Sequence, residues 1–475
     1  MNPLALSNEA YREVYDRMSE LALGYLAGIG ERSCFPNISA VEASDLFSGA
    51  VPEQGMGLAA LDDLAKVIAA SRAQGPRFFG YVLGSGEPVA AGADLLASVL
   101  NQNVTAWRSG PAAVTLEHLV VGWLAEAIGC GGFRGSLTGG GSSANLMGLA
   151  MAREARLPAN EHGIRDEGTV YTSEHAHMSI AKAVALLGIG RDHLRLIPCD
   201  DDFRMRIDLL RQSIEADVRA GKRPIAIVGS AGTVATGSID RLGELAEIAK
   251  ETGAWFHVDG AYGALAAIAR PLQFSGMELA DSLSLDPHKW LYQPLDCGCL
   301  LFRDASQARH TFSFTGDYAK SLQENPLEDF AFFDESLELS RRFRALKLWL
   351  SLRYHGLSGF RQQIENDLQC AQRLASRIDA EAEMELLAPV PLSAVCFRYV
   401  PHSGGLNDQQ LDELNLQILL SVQRRGRVYV SNATVHGKFA LRACIVNHRT
   451  TAADVDAVID EVLEVGPKLL SGTRS

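Results

Sequence analysis

The chain has 475 residues, of which 47% are hydrophobic and 21% are charged, as in ordinary globular proteins. Its formal net charge of −13 at pH 7 disfavours a nucleic-acid partner, which would require a basic surface. No apolar stretch approaches the roughly 18 residues of a membrane span, and no basic segment precedes an apolar core near residue 1. We therefore predict neither a membrane partner nor a signal peptide.

The eight cysteines are scattered along the sequence and form no C-x-x-C motif. A chain of this length does not depend on disulfide bonds, so a reducing cytoplasm is the predicted location. Cys297 and Cys299 form a C-x-C pair without a second ligand pair. This spacing disfavours a metal site, and no metal ligand is predicted.

The first hundred residues are predicted to be mostly helical, with apolar residues at helical spacing over 6–28 and 57–73. Residues 76–88, "PRFFGYVLGSGEP", combine aromatic side chains with Gly and Pro. This composition is unusual for a linker and indicates a surface that contacts another molecule. A further long helix is predicted over 113–128.

Short β-branched segments alternate with amphipathic helices between residues 130 and 305. The predicted strands cover 169–174, 194–199, 223–232, 254–260, 281–287 and 297–304. This alternation predicts a mostly parallel α/β sheet covered on both faces, which binds ligands at the carboxyl ends of its strands. A long helix predicted over 336–356 then leads to α and β segments, including strands over 394–400, 427–432 and 438–446. These segments predict a smaller C-terminal domain.

Two polar motifs lie where helices are predicted to begin. In "LTGGGSSAN", glycines precede Ser142 and Ser143 at a helix start, where backbone N–H groups and hydroxyls can bind a phosphate. A flexible loop with a serine cap is the alternative. His177 follows a predicted strand and could stack on a flat ring or hold a proton, although a core or capping histidine is also possible.

Two charged side chains lie at the ends of predicted strands. Asp259 is followed by the small residues Gly260 and Ala261, and a buried carboxylate needs a cationic partner or nearby loop amides. Lys289 has apolar neighbours in "SLSLDPHKWL". Desolvation favours the neutral amine, which can attack a carbonyl and form a Schiff base. The alternative is a lysine that extends its charge from a buried stem to the solvent.

The four pieces together match the needs of pyridoxal 5′-phosphate (PLP). Its phosphate needs a helix N-terminus, its aldehyde a lysine, and its pyridine nitrogen an anion that keeps it protonated. A PLP enzyme is therefore predicted.

The motifs "TGGGSSAN", "AHMS", "HVDGAY" and "DPHKWL" followed by "DCG" resemble the group II PLP-dependent decarboxylases. This family includes aromatic-L-amino-acid decarboxylase and glutamate decarboxylase, and the resemblance extends over about 70–455. It implies PLP fold type I, which is aspartate-aminotransferase-like, with a mostly parallel central sheet and a smaller C-terminal α+β domain. It also implies a homodimer whose active sites are built from both chains. Residues 76–110 are predicted to reach the partner's pocket, because this aromatic, Gly-rich stretch would be costly to leave in water.

The resemblance also assigns roles to residues of this sequence. It implies that Lys289 is the Schiff-base lysine and that His288 is its neighbour near the phosphate. Asp259 matches the partner of the pyridinium nitrogen, Ala261 the residue against the ring, and His177 the histidine that stacks on the ring.

Further matches concern the rest of the cofactor site. Ser142 and Ser143 match the phosphate loop, and Asp286 stands where family members have asparagine or aspartate. Thr233 falls in the family's G-T-T segment, where Val234 replaces the second threonine.

A polar loop over 312–326 is predicted to act as a lid. Its Tyr318 matches the family's loop tyrosine, which is thought to return a proton after CO₂ leaves. Aldehyde-forming relatives usually replace this tyrosine, so its presence favours simple decarboxylation. His177 is the alternative proton donor.

We therefore expect PLP-dependent decarboxylation of an L-amino acid to its amine and CO₂. The predicted division is an N-terminal helical segment over 1–100, which contributes to the dimer and the pocket, a large PLP-binding domain over 101–350, and a small C-terminal domain over 351–475. An aromatic substrate is favoured by candidate pocket walls at Phe78, Phe79, Tyr81, Val82, Leu83 and Trp107. Arg77 would suit an acidic substrate such as glutamate or aspartate instead. A PLP-binding regulatory protein without turnover is a further alternative.

Overall fold

The computed structural model describes residues 4–314, 328, 330–402 and 405–472. The α-helices are α1 Asn8–Ala27, α2 Ala40–Leu46, α3 Leu64–Ala70, α4 Pro88–Leu100, α5 Pro111–Ala127, α6 Gly141–Arg156, α7 Met178–Leu186, α8 Ile207–Arg219, α9 Leu242–Thr252, α10 Pro287–Trp290, α11 Ala305–Phe312, α12 Ala345–Ala380, α13 Asp408–Arg425 and α14 Ala452–Gly472. Within these residues, no helix combines the length and the apolar character needed to cross a bilayer.

A seven-stranded sheet forms the centre of the large α/β region. Its strands are β1 Arg134–Thr138, β2 Gly168–Ser173, β3 Leu194–Ile197, β4 Arg223–Ser230, β5 Trp255–Asp259, β6 Ser282–Leu285 and β7 Gly298–Phe302. They lie in the order β1-β7-β6-β5-β4-β2-β3, and only β7 runs antiparallel to its neighbours. The carboxyl ends of β2, β4, β5 and β6 therefore meet at one edge of the sheet.

Helices cover both faces of this sheet because its strands are apolar on both sides. Ile227 and Val228 are adjacent on β4, yet they enter different hydrophobic clusters. Leu301 and Phe302 on β7 divide in the same way. Side chains alternate between the faces of a strand, so the two clusters lie on opposite sides of the sheet.

A second sheet lies in the C-terminal part of the chain. It contains β8 Met384–Leu386, β9 Ala394–Tyr399, β10 Ser431–Val435 and β11 Lys438–Cys444, in the order β10-β11-β9-β8 with all pairs antiparallel. Helices α13 and α14 pack on it through a third cluster that includes Ile418, Val422 and Val458. The predicted α/β fold with a smaller C-terminal α+β unit is thus confirmed.

Two predicted elements are misplaced, and one strand of the structure was not predicted. The helix predicted over 336–356 begins only at Ala345, the strand predicted over 427–432 is instead found at Ser431–Val435, and β1 was not predicted. Helix α12 runs across residue 350, where the division between the second and third domains was predicted. That division stays a prediction.

Candidate active site

A cavity of about 280 Å³ opens at the carboxyl edge of the large sheet. Its walls come from the loop after β1, the first turn of α6, and the residues that follow β2, β4, β5 and β6. Every site residue predicted from the sequence except Tyr318 lines it: Ser142, Ser143, His177, Thr233, Asp259, Ala261, Asp286, His288 and Lys289. Tyr318 lies outside the described residues.

Lys289 lies on α10, the short helix that follows β6 directly. Its Nζ is 3.0 Å from Asp286 Oδ2, and its side chain is only 14% exposed. The surroundings of the amine are therefore not apolar throughout, as the sequence had suggested, because a buried carboxylate faces it. His288 Nε2 lies 3.5 Å from the same carboxylate. Its Nδ1 is 2.7 Å from the carbonyl oxygen of Cys297, which orients the ring.

The first turn of α6 forms a narrow cradle opposite the lysine. A Cβ atom on Gly141 would come within 2.5 Å of the Cβ of Ala261, and a Cβ on Gly298 would come within 2.4 Å of the Cα of Gly140. Gly140 also has φ of +138°, a region that side chains rarely adopt. Only glycine therefore fits these positions. The N-terminal end of this 16-residue helix is also the end at which its dipole attracts an anion.

Asp259 ends β5 on the other side of the cavity. Its Oδ1 accepts hydrogen bonds from Ser284 Oγ at 3.1 Å and from the backbone N–H of Ala261 at 3.2 Å. The two bonds fix the orientation of a carboxylate that is only 8% exposed. The sequence had suggested loop amides as alternative partners of Asp259, and the N–H of Ala261 is such a partner. The carboxylate nevertheless lines the cavity.

His177 is held by a chain of polar contacts that extends from α7 through α6 to strand β5. Its Nδ1 accepts from the backbone N–H of Ser179 at 3.3 Å and lies 2.8 Å from Ser179 Oγ. Asn145 Nδ2 donates to that hydroxyl at 2.9 Å, and Asn145 Oδ1 is 3.0 Å from His257 Nε2. Burial lowers the pKa of His177, which favours the neutral ring. Because Nδ1 accepts a hydrogen bond, the neutral ring carries its proton on Nε2.

The Thr233 segment is bound mainly to its own turn. Thr233 Oγ1 accepts from the backbone N–H of Ser238 at 3.2 Å and lies 3.1 Å from Thr236 Oγ1. The carbonyl oxygen of Val234 accepts from Arg442 Nη1 at 2.7 Å. This segment therefore contributes a fixed wall, with the Thr233 hydroxyl already engaged.

The residues proposed as substrate walls do not line this cavity. Phe79 is fully buried in the core of the C-terminal sheet, and Phe78 stacks on Tyr429 with ring centroids 4.9 Å apart. Both residues belong to the segment that is predicted to reach a partner's pocket, so their role as pocket walls stays a prediction. Arg77 pairs with Asp454 at 2.9 Å, so it too serves the packing of the C-terminal region.

Sequence reasoning missed Asn145, His257 and Tyr262. Asn145 and Tyr262 line the cavity, and His257 supports Asn145 from the sheet. The period of two along a strand places His257 on the same face as Asp259, which is a signal that could have identified it. Asn145 lies three residues after Ser142 and thus on the same side of α6.

The cavity suits PLP by the chemistry of its donor set. A helix N-terminus with two serines faces an amine and a carboxylate across one enclosed space. Among the residues that the structure describes, Asp286 Oδ1 is buried and has no hydrogen-bond partner, so this atom can accept a bond from a bound group. The fold and the site thus define a PLP-binding enzyme of fold type I.

Comparisons with known proteins identify the family. The model of the pyridoxal-dependent decarboxylase conserved domain matches residues 44–400, so the chain belongs to this family and is a PLP-dependent amino-acid decarboxylase. It is 34% identical over 383 residues to an aromatic-L-amino-acid decarboxylase of Bacillus atrophaeus, covering 80% of this chain and 79% of the relative.

Two further relatives show how far the likeness extends. A phenylacetaldehyde synthase of Petunia hybrida is 32% identical over 388 residues, covering 78% of this chain and 77% of the relative. The crystal structure of Oryza sativa TDC with PLP and tryptamine superposes with a TM-score of 0.92 at 26% identity, covering 99% of both chains.

Proposed function

We propose that this protein decarboxylates an aromatic L-amino acid to the corresponding amine and CO₂. The observation that carries the chemistry is the convergence of Lys289, Asp259 and the N-terminus of α6 on one cavity. The aromatic class is supported by the named activity of the Bacillus atrophaeus relative and by the tryptamine in the Oryza sativa structure. The acidic alternative loses its sequence support because Arg77 is bound to Asp454.

The residues of the cavity divide the work as follows. Ser142, Ser143 and the first-turn amides of α6 would hold the phosphate, and Lys289 Nζ would be the amine that binds the aldehyde. Asp259 would keep a proton on the pyridine nitrogen. When bound, PLP supplies an electron-poor ring that accepts the electrons left on the substrate Cα as CO₂ departs.

The remaining residues position the flat ring and manage protons. His177 and Ala261 both line the cavity and would hold the flat ring, His177 with its imidazole and Ala261 with a small apolar surface. Asp286 pairs with Lys289 and contacts His288, which would lie near the phosphate. Thr233 limits the cavity at the end of β4.

A panel of L-amino acids tests the substrate class. Release of CO₂ and amine is followed for tryptophan, tyrosine, phenylalanine, glutamate and aspartate, each with and without added PLP. We expect PLP-dependent turnover of at least one aromatic substrate and little of the acidic ones. A clear preference for glutamate or aspartate would overturn the aromatic proposal and leave the decarboxylase family intact.

Aldehyde formation is a second candidate, because one relative is named a phenylacetaldehyde synthase. Tyr318 favours the amine product, and its role as proton donor stays a prediction from the resemblance. A Tyr318→Phe variant removes the phenol and should shift product from amine towards aldehyde, ammonia and peroxide in the presence of oxygen. Unchanged amine production by this variant would make His177 the proton donor.

We also propose a homodimer, which is supported by surfaces that a single chain leaves exposed. Helices α1, α2 and α3 contain no buried residue within the described chain. Helix α4 exposes four large apolar side chains, each between 46% and 58% accessible: Leu95, Leu96, Val99 and Leu100. Apolar surface of this kind is usually covered by a partner.

Sedimentation tests the dimer, with α4 as the point of perturbation. Val99→Glu places a charge at the most exposed of the four apolar positions and should shift the protein towards monomer with loss of turnover. Glu126→Lys changes an exposed charge on α5 and serves as the control. A wild-type monomer with full activity would refute the proposal.

A cytoplasmic location is supported by the cysteines. All eight lie in the described residues and are free thiols. Six of the eight are buried, including Cys34, Cys297 and Cys299, and burial protects their thiols from oxidants in the solvent. Free thiols in this number suit a reducing compartment.

A further inference from the structure

A second group of metal-binding side chains lies beside the cofactor cavity. Strands β2 and β3 are parallel neighbours, so the residues that follow them emerge at the same edge of the sheet. Glu174 and His175 follow β2, and Cys199 lies two residues after the end of β3. One carboxylate oxygen, one imidazole nitrogen and the sulfur of these three side chains all lie within 4.8 Å of one another.

Contacts among the neighbouring residues already hold this group together. Glu174 Oε1 accepts a hydrogen bond from the backbone N–H of Cys199 at 2.9 Å. Ser173 Oγ lies 3.1 Å from Cys199 Sγ and accepts from the backbone N–H of His175 at 3.0 Å. The rings of His175 and Phe203 pack in a T-shaped pair, with centroids 5.4 Å apart. The potential ligands are therefore restrained by polar and aromatic contacts of the kind that orient ligands in metal sites.

The donor set selects the class of metal. A thiolate and an imidazole disfavour magnesium and calcium, which prefer oxygen ligands. Sulfur, nitrogen and carboxylate oxygen together suit zinc, which binds three protein ligands and leaves a fourth position for water. Glu174 is exposed, and His175 and Cys199 are half-buried, so an ion can reach the group from the solvent.

We propose that Glu174, His175 and Cys199 form a zinc site at the rim of the active site. In sequence, only Ala176 separates His175 from His177, which lines the cofactor cavity. A bound ion would join the ends of β2 and β3 and would restrain the backbone that carries His177. Metal binding would thus make the backbone next to His177 more rigid, through residues other than those proposed to hold PLP.

Cobalt(II) provides a direct probe, because a tetrahedral site gives visible d–d absorption and a thiolate adds charge-transfer absorption. Chelator-treated holoenzyme is titrated with Co²⁺, and Zn²⁺ is then added to displace it. We expect uptake of one equivalent by the wild-type protein, with bleaching by one equivalent of Zn²⁺. Failure of the wild type to develop this absorption would overturn the proposal.

Variants assign the ligands without relying on turnover. Cys199→Ser should abolish the thiolate absorption, and its loss of Co²⁺ affinity should exceed the roughly 10- to 100-fold cost of losing an outer contact. Ser173→Ala should show that smaller loss. Cys370→Ser changes a half-buried thiol on α12 and should bind like the wild type.

The control for folding is PLP content, which should be equal in all four proteins. Unchanged Co²⁺ spectra in Cys199→Ser, or a loss in Cys370→Ser equal to that in Cys199→Ser, would contradict the assignment. Because the readout is metal absorption, the result does not depend on which amino acid the enzyme decarboxylates.

Discussion

Gly84→Ala should disturb the catalytic lysine, although residue 84 itself does not line the cofactor cavity. A Cβ at residue 84 would come within 2.3 Å of the carbonyl oxygen of His288 and 2.6 Å of that of Lys289, whereas ordinary contact begins at 3.4 Å. One of the two segments must therefore move by about 1 Å, and displacements of that size can cost roughly 100-fold in rate.

The loop that carries Gly84 cannot easily move away. Its Ser85 Oγ is 2.7 Å from His448 Nδ1, and Arg449 donates to the carbonyl oxygens of Ser85 and Gly86 at 3.1 and 3.2 Å. The backbone N–H of Glu87 donates to the carbonyl oxygen of Tyr292 at 2.8 Å. Because the residues that follow Gly84 are held in place, we expect the strain to pass to α10 and to Lys289.

Turnover of the preferred amino acid, followed by amine release, measures the effect. We expect kcat/KM of Gly84→Ala to fall by roughly 10- to 100-fold, with weaker PLP retention. Gly122→Ala is the matched control, because a Cβ at that position of α5 meets nothing within 4 Å. Wild-type kcat/KM in Gly84→Ala would refute the idea that this contact positions the lysine.

Two further substitutions test the site and its support. Asp259→Asn should keep PLP bound but lower kcat by roughly 100- to 1000-fold, as when one preorganised electrostatic contact is removed. Near-normal turnover in a cofactor-loaded variant would argue that Asp259 is not needed for the ring to accept electrons. Glu117→Ala removes the partner of Arg341 from an ion pair in which both side chains are 1% exposed, so it should cost about 3–5 kcal/mol of stability. Thermal unfolding measures this cost, with Glu251→Ala at an exposed ion pair as the control. Equal melting temperatures of the two variants would contradict the argument.

The chemistry-bearing motifs could be predicted because each is local. The ends of β5 and β6 are marked by an apolar run followed by a charged residue, and the start of α6 is marked by glycines and serines. Parallel topology then brings these ends to one edge. What the sequence did not show is that Asp286 lies 3.0 Å from Lys289 Nζ, since the pairing depends on the turn of the short helix α10.

The errors arose where long-range contacts override local preference. Residues 427–430 have strand propensity, but Tyr429 exchanges backbone hydrogen bonds with Arg77 and Phe79 instead of joining the hairpin. The helical pattern over 336–344 fails because the backbone of Arg341 bonds to Val104 and Asn103. Such pairings join residues hundreds of positions apart, and no local pattern reports them.

The position of the cofactor on Lys289 is the central claim of this account. Borohydride reduction of the holoenzyme fixes the cofactor to the lysine that holds it, and peptide mapping identifies the residue. We expect the label on the peptide that contains Lys289, and we expect Lys289→Ala to remain unlabelled and colourless. A label on Lys182, on the helix that follows His177, or on any other lysine would contradict the account.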